Sequence, residues 1–342
     1  MLKADRTALS VVIATPTTAP CALAPVVRSL FALVGKEQLE LLIIVPSAAT
    51  LGFRGDELQG FWGVKVLEVG PFNSWSQAMA IGVQAATAEW VVMGEDHSYV
   101  GPGWAQAMIE AQRGPWAAVG PSIDNANPRT GLSWANLVLN YGLWLAGASR
   151  ITCGGGCADL PGHNTSYRRE SLLALGDEKL REVLPYNQLH AALRERGLTL
   201  HFAPSARVYH LNPSLWWVSI KVRFVMGRHF GGSRARTGKW SVGRRLLYIV
   251  ASPLIPVMGL RSVLNDLRQA GRRDIGGARF WCAMGALLVV AAAGELFGYV
   301  IGPGNTSKSH ADAEFKRHEE LCKSDKVNEG AMYSGGLTSG DA

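Results

Sequence analysis

Charge is scarce in this chain of 342 residues: Asp, Glu, Lys and Arg make up 18%, against 48% hydrophobic residues. That is more apolar than a typical soluble enzyme, and the length allows one large α/β domain with appendages. Cysteine is sparse, with Cys21, Cys153, Cys157, Cys282 and Cys322 forming an odd, scattered set. Cys153-Gly-Gly-Gly-Cys157 has no second pair to complete a zinc site, so it reads as a plain reduced pair rather than a metal centre. No internal repeat is present, and no nucleic-acid module. The net charge of +7 and the arginines clustered between Arg223 and Arg279 therefore point to anionic lipid or a diphosphate, not to nucleic acid. Lys3, Asp5 and Arg6 run straight into a strand, so the expectation is that no signal peptide operates and that the main domain stays cytosolic. The first strand is followed by Thr15-Pro16-Thr17-Thr18 rather than a Gly-rich phosphate loop, which ranks a nucleotidyltransferase last among the enzyme readings.

What is present is an alternation of short apolar runs and helical stretches. Strands are predicted at 9–14, 41–45, 64–69 and 90–93, with helices around 23–35 and 75–88. Such alternation implies a parallel sheet covered on both faces, with ligands beyond the carboxyl ends of its strands. From Pro121 the pattern loosens into a polar loop to Arg129. A helix at 133–147, a Gly-rich stretch at 153–164, a helix at 178–196 capped by Gly197 and a strand at 199–210 follow. Residues 304–342 are polar and read as a disordered tail.

Glu95-Asp96-His97 follows directly on a buried strand and precedes Gly101-Pro102-Gly103-Trp104. Three potential ligands at a strand's carboxyl end suit a divalent cation shared with phosphate oxygens, where it would neutralise charge on a diphosphate leaving group. A solvated acidic turn with an incidental histidine is the other reading of these three residues.

The order of these segments resembles the family 2 glycosyltransferases with the GT-A fold. Val11-Val12-Ile13-Ala14-Thr15-Pro16-Thr17 is similar to the opening strand and turn that touch the nucleotide. Glu95-Asp96-His97 stands where the family carries its Asp-x-Asp metal motif, with Pro102-Gly103-Trp104 just after it. Pro161-Gly162-His163-Asn164-Thr165-Ser166-Tyr167-Arg168-Arg169 resembles the acceptor-side segment. Leu193 to Gly197, Phe202-Ala203-Pro204 and Val208-Tyr209-His210 resemble the late helix, strand and histidine. The likeness covers roughly residues 8–236. It implies a mostly parallel Rossmann-like sheet with flanking helices and a Mg or Mn ion on Glu95, Asp96, His97 and His210. It also implies donor contacts from Thr15, Pro16 and Thr17, and acceptor contacts from His163, Asn164, Arg168 and Arg169. His210 equally fits a structural histidine.

Three departures stand out. The second strand ends in Val45-Pro46-Ser47, without the acidic residue that reads the base. The metal motif is Glu95-x-His97. Counting back from Gly197, the family's Glu-Asp pair falls on Pro185 and Tyr186, neither of them a carboxylate. An inverting transfer needs a base for the acceptor hydroxyl, and Glu182 and His190 are the nearest candidates. Glu182 also reads as a surface residue beside Lys179 and Arg181, and His190 as a core-edge histidine; Asp177 and Glu178 read as helix-start residues. Arg223, Arg228, His229, Arg234 and Arg236 could clamp a diphosphate, hold a lipid phosphate or face anionic lipid; Arg228 and Arg234 are carried forward as donor-binding candidates.

Residues 281–302 reach the length of a spanning helix, interrupted by Glu295. Residues 246–260 span about 22 Å as a helix and contain Pro253 and Pro256, which suits an interfacial or re-entrant segment. If both crossed, Arg261, Arg268, Arg272 and Arg273 would lie outside, against the positive-inside tendency. The expectation is a GT-A domain at 1–237, membrane-associated helices at 238–303 with 281–302 inserted, and the tail. The chain would sit at a bacterial inner membrane with its catalytic domain facing the cytosol. Its partners would be a nucleotide-diphosphate sugar donor, a lipid-linked or polysaccharide acceptor and the membrane, with no nucleic acid. The rival is a catalytically inactive GT-A domain serving as a membrane scaffold or sugar-nucleotide sensor.

Overall fold

The structure is a computed structural model that describes residues 9–16, 23–33, 35–51, 58–72, 74–148, 159–183, 186–304 and 317–325. Thr17, Cys153, Cys157 and Pro185 lie outside the described residues. The chain divides into two compact units. Of the described residues, the first comprises those within 9–126 and 146–210, and the second those within 127–145 and 211–325.

The first unit is built on a mixed sheet with eight strands among the described residues, flanked by helices. β1 (Leu9–Ala14) and β2 (Leu39–Val45) are buried at every position. Their near-continuous Leu, Ile and Val content is what a strand covered on both faces requires. Each such side chain contributes roughly 1.5–3 kcal/mol on burial. β3 (Gly63–Glu68), β4 (Trp90–Gly94), β5 (Ser98–Val100), β6 (Ala118–Asn125), β7 (Ser166–Arg168) and β8 (Leu200–His210) complete the order β3-β2-β1-β4-β7-β6-β8-β5. β1 pairs in parallel with both β2 and β4, and β2 with β3. β7 runs antiparallel to β4 and β6, and β5 antiparallel to β8. Strand order thus reverses between β1 and β4, which opens a crevice at their carboxyl ends. Helices α1 (Ala24–Phe31), α2 (Trp75–Ala85) and α3 (Trp104–Gln112) lie between these strands in sequence. Gly82 of α2 rests directly on the sheet: a Cβ there would come within 2.2 Å of Val12 Cγ1.

One buried acid holds the amino end of the sheet. Glu40, in β2, accepts hydrogen bonds from Ser10 Oγ at 2.5 Å and Thr87 N at 2.8 Å, and pairs with Lys65 Nζ at 2.8 Å. Burial alone would raise its pKa, but these partners outweigh burial and lower it.

Two sequence expectations are corrected here. The predicted polar loop from Pro121 begins as part of β6, which runs to Asn125 and pairs in parallel with β8; the pairing with β8 overrides the turn-like Pro-Ser-Ile-Asp composition. The predicted helix 178–196 is two helices, α6 (Asp177–Val183) and α7 (Tyr186–Glu195), after the short α5 (Arg169–Leu173).

The second unit is helical: α4 (Gly131–Tyr141), α8 (Trp216–Thr237), α9 (Val242–Ala251), α10 (Ile255–Gln269) and α11 (Ala278–Ile301). α8 therefore belongs to this unit, and the division falls at Leu211 rather than after 237. α8 and α11 pack almost backbone to backbone through glycine. A Cβ at Gly227 would lie 2.2 Å from Ala291 O, one at Gly294 2.3 Å from Phe224 O, and one at Gly298 2.4 Å from Arg228 O. Glu295, the charge that interrupts α11, accepts from Tyr299 Oη at 2.8 Å. Tyr299 in turn is bonded by Arg234, whose guanidinium sits 4.9–5.6 Å from the rings of Phe230, Trp240, Tyr248 and Tyr299.

Two helical stretches, Val242–Gln269 and Ala278–Ile301, are long and apolar enough to cross a membrane by length and composition. Their burial differs: 39% of the most apolar part of Ala278–Ile301 is buried, against 11% for Val242–Gln269. Within the tail expected to be disordered, residues 317–325 form a short 3-10 helix, Arg317–Glu320, followed by helical residues 323–325. Ser214 N donates to Glu320 O at 3.2 Å, Cys322 N to Ser214 Oγ at 2.9 Å, and Asn127 Nδ2 to Asp325 Oδ2 at 3.0 Å. Leu321 and Arg317 are each only 2% exposed. One apolar side chain and a set of buried hydrogen bonds suffice to order a polar segment.

Candidate metal and donor site

β4 ends at Gly94 and delivers Glu95, Asp96 and His97 into the crevice. All three are buried, at 3–4% exposure. Two pairings bring distant residues to them. β7 runs antiparallel to β4 with Trp90 opposite Arg168 and Val92 opposite Ser166; continuing that register three residues past Val92 sets His163 opposite Glu95. The continuation is real, since Asn164 N donates to Met93 O at 2.7 Å. Asn164 adopts φ 57, a left-handed conformation that asparagine tolerates better than most residues. β5 pairs with β8 so that Ser98 faces His210, which carries the last residue of an 11-residue strand to the same spot.

The result is a carboxylate among three imidazoles. His97 Nε2 lies 3.6 Å from Glu95 Oε1, His210 Nε2 3.6 Å from Glu95 Oε2, and His163 Nδ1 is hydrogen-bonded to Glu95 Oε1. Ser98 Oγ donates to Glu95 Oε2 at 2.8 Å. The rings of His97 and His210 meet edge to face, with centroids 5.1 Å apart. Burial pushes the Glu95 pKa up, but the charges of His163 and His97, the His163 hydrogen bond and His210 bring it down to about 2.

Asp96 has a different position. Its Oδ1 lies 2.8 Å from His97 Nδ1, so it holds the ring nitrogen that faces away from Glu95. A carboxylate on the far nitrogen of an imidazole fixes the tautomer and orientation of a metal-ligating histidine. The donor atoms of Glu95, His97 and His210 lie within 4.8 Å of one another. One carboxylate and two imidazoles on a buried, preoriented frame match the donor chemistry of a divalent transition metal such as Mn.

Trp75 opens α2 behind the N-cap Ser74, and its ring meets His163 edge to face at 6.0 Å. Sequence reasoning missed Trp75. The available signal was a serine N-cap at the helix following β3, which places that helix's amino end at the carboxyl edge of the sheet. Thr15, 2% exposed, caps β1 by donating from its amide to Ile44 O at 3.0 Å, and Pro16 follows it.

Other candidates lie elsewhere. Arg168 and Arg169 stand at the amino end of β4, opposite Trp90, at the far end of the strand from Glu95. Arg169 donates to Val83 O at 3.0 Å and Gln84 O at 2.9 Å, and Arg168 to Gly114 O at 3.0 Å and Glu89 Oε1 at 3.0 Å. Both guanidinium groups satisfy carbonyls at or just beyond the carboxyl ends of helices. Arg228 Nε donates to Gly302 O at 3.0 Å, and Arg234 sits in its aromatic cage; both are engaged inside the second unit. Arg223 reaches Asn140 Oδ1 at 2.7 Å in the same unit. Glu182 lies on α6 and Tyr186 opens α7, with side chains outside those described.

His190 has no solvent exposure. Its Nε2 takes the Tyr167 hydroxyl at 2.9 Å and its Nδ1 is hydrogen-bonded to Asp159 Oδ1. Both nitrogens are hydrogen-bonded inside the protein, which suits positioning of Asp159 better than direct contact with an acceptor. Asp159 does reach solvent, with its side chain 44% exposed. Burial raises its pKa, but the His190 hydrogen bond and charge, with Arg194, lower it below the ordinary carboxylate value. Nothing in the sequence pattern singled out Asp159, because its partner is 31 residues away.

No protein-family profile matches this chain, and no curated protein is similar to it at a significant level. Solved structures are. A mannosyltransferase from Pyrobaculum calidifontis, PcManGT, in complex with GDP-Man and Mn2+, aligns over 86% of this chain and 88% of its own at 14% identity and TM-score 0.52. GalNAc-T7 with UDP, GalNAc and Mn2+ aligns over 59% of this chain and 43% of its own, at 18% identity and TM-score 0.46. S. aureus TarS residues 1–349 aligns over 90% of each chain, at 16% identity and TM-score 0.42. At such identities the likeness is one of fold. With the mannosyltransferase this chain shares the GT-A arrangement, a mixed α/β sheet with flanking helices.

Proposed function

We propose that this chain is a metal-dependent, inverting glycosyltransferase of the family 2 type, moving a sugar from a nucleotide-diphosphate donor to a lipid-linked or cell-envelope acceptor at a bacterial inner membrane, with its catalytic unit facing the cytosol. The observation that carries the reading is the buried Glu95, His97 and His210 cluster at the strand-order reversal of the sheet, where α/β folds bind ligands. That PcManGT binds GDP-Man and Mn2+ agrees with it. The basic, apolar second unit agrees with membrane association.

In this reading Glu95, His97 and His210 hold a divalent cation, Mn or Mg, which when bound supplies positive charge against the diphosphate leaving group. Asp96 keeps His97 in the ligating tautomer. Thr15 and Pro16 line the donor side, with Trp75 offering a flat apolar face beside His163. His163, held at Glu95 Oε1 through Nδ1, would present its other ring nitrogen toward the donor. Asp159 takes the acceptor's hydroxyl proton, and His190 on α7 positions it. This places a carboxylate against the helix that starts where the family's Glu-Asp pair would stand, in place of Pro185-Tyr186. General-base assistance of this kind is worth about 10²–10⁴-fold in rate.

The test is a panel of nucleotide-diphosphate sugars with the purified full chain, with and without manganese. Metal-dependent nucleotide release is expected, and its loss in Glu95→Ala. A chain that binds nucleotide with manganese but turns over no donor is instead the inactive scaffold or sensor. If neither binding nor turnover occurs, the proposal fails.

A further inference from the structure

Hydropathy marks residues 281–302 as the membrane segment, but the packing of the second unit reverses that assignment. α11 lies against α8 at backbone distance along Phe224, Gly227, Arg228 and Gly232. Arg228 and Arg234 bond to Gly302 and Tyr299 on α11 itself or at its end. α11 cannot enter hydrocarbon without carrying those two guanidinium groups and Glu295 with it, and each is costly there. Its residues Ala283, Met284, Leu287 and Tyr299 are buried in protein, while Val289, Phe297, Val300 and Ile301 are 49–60% exposed. α11 is the more buried of the two apolar helical stretches, at 39% against 11%.

α9 and α10 show the opposite pattern. α9 buries no residue. Leu246, Leu247, Val250, Leu254, Val257 and Met258 are 55–77% exposed, and their spacing of 1, 3, 4, 3 and 1 keeps them on one helical face across the turn Ser252–Leu254. The reverse face is the one that meets the protein: a Cβ at Gly259 would touch Leu288 of α11, and Asp266 packs on Gly142. α11 is tied to α8 through its backbone and its charged groups, whereas α9–α10 is bare along a single apolar face, the arrangement of a helix that lies in an interface. The fringe of that face is cationic, with Arg236, Lys239, Arg244, Arg261 and Arg268 all exposed. Between residues 236 and 273 the sequence has one acid, Asp266, and it is buried at 8% exposure. Nothing on this surface compensates the positive charge.

We propose that the chain docks on an anionic phospholipid leaflet through the apolar face of α9–α10, lying in the plane of the interface, while α11 remains inside the protein. The apolar side chains enter the acyl boundary, and the arginines meet headgroup phosphates. The attachment is monotopic.

Vesicle binding of the full chain tests this, using phosphatidylcholine alone and phosphatidylcholine mixed with phosphatidylglycerol. Leu247→Glu combined with Met258→Glu alters exposed positions only, so circular dichroism should be unchanged while binding to both vesicle types falls at least ~10-fold. Arg244→Gln, Arg261→Gln and Arg268→Gln together should weaken binding to anionic vesicles by ~100-fold, about 5-fold for each charge, and leave phosphatidylcholine binding unchanged. Topology is read separately. In a background with the native cysteines replaced by serine, Gly276→Cys between α10 and α11, the exposed Lys323→Cys after α11 and Arg113→Cys on the first unit should all react with an impermeant maleimide from the same side of sealed membranes. Labelling from opposite sides means that the helices span and overturns the proposal. So does a charged α9–α10 face that leaves vesicle binding intact, or one whose only effect is to convert a dimer into a monomer.

Discussion

Replacing Asp96 by asparagine and, separately, by alanine distinguishes two roles that its position next to Glu95 leaves equivalent in sequence. If Asp96 orients His97 through the 2.8 Å contact with Nδ1, asparagine can still accept that hydrogen bond with its amide oxygen. A neutral acceptor is roughly half as strong as a charged one, so metal affinity should fall only about 2–5-fold. Alanine removes the acceptor altogether, and loss of such an outer partner costs about 10–100-fold in affinity, or about 1.4–2.7 kcal/mol at 1.36 kcal/mol per factor of ten. Glu95→Gln, which alters a ligand inside the cluster, should exceed both. The assay is direct titration of manganese by electron paramagnetic resonance on the full chain, with no turnover needed. Asp96→Asn weakening binding as much as Glu95→Gln would refute the reasoning, because Asp96 would then ligate the ion itself.

Asp159→Asn should lower donor-to-acceptor transfer by about 10²–10⁴-fold with manganese binding unchanged, while Asp159→Glu should recover part of it. Because the pKa of Asp159 is lowered, its own titration, followed by carboxyl NMR, should lie below the ordinary aspartate value, and His190→Ala should move it upward. Glu40 has a depressed folded pKa, so its contribution to stability is full above about 4.5 and is lost as pH falls through the folded value; Glu40→Gln should flatten that part of a thermal-denaturation series against pH. Gly227→Val should unfold the second unit, since even its Cβ would come within 2.2 Å of Ala291 O, and loss of α8–α11 packing should show as a lower melting temperature, whereas Gly243→Val, where a Cβ meets nothing within 4 Å, should leave it unchanged.

The strand-helix alternation was legible because strands buried on both faces are apolar at nearly every position, and β1, β2 and β4 announce themselves that way, with Ser10 and Glu40 the buried polar exceptions in β1 and β2. Glu95-x-His97 was legible because chemistry at the carboxyl end of such a strand follows a general rule. His210 could be suspected as the end of a predicted strand. His163 was read as an acceptor residue, and only the antiparallel register of β7 against β4 sets it on Glu95. The same register sends Arg168 and Arg169 to the other end of β4, although they are only five and six residues further on. A motif read as one functional segment is thus split along the length of a strand.

Composition determined that this chain has an apolar α/β core, an acidic-histidine turn beyond its fourth strand and a basic, hydrophobic carboxyl-terminal third. Those properties belong to residues taken singly or to a helical or strand period. Which apolar helix is buried and which is left bare depends on what packs against it, and hydropathy counts no neighbours. Tertiary structure therefore decided that α11 packs its glycines against α8, that α9–α10 carries the more exposed apolar face, that Asp96 contacts His97, and that His190 is buried against Asp159 and Tyr167.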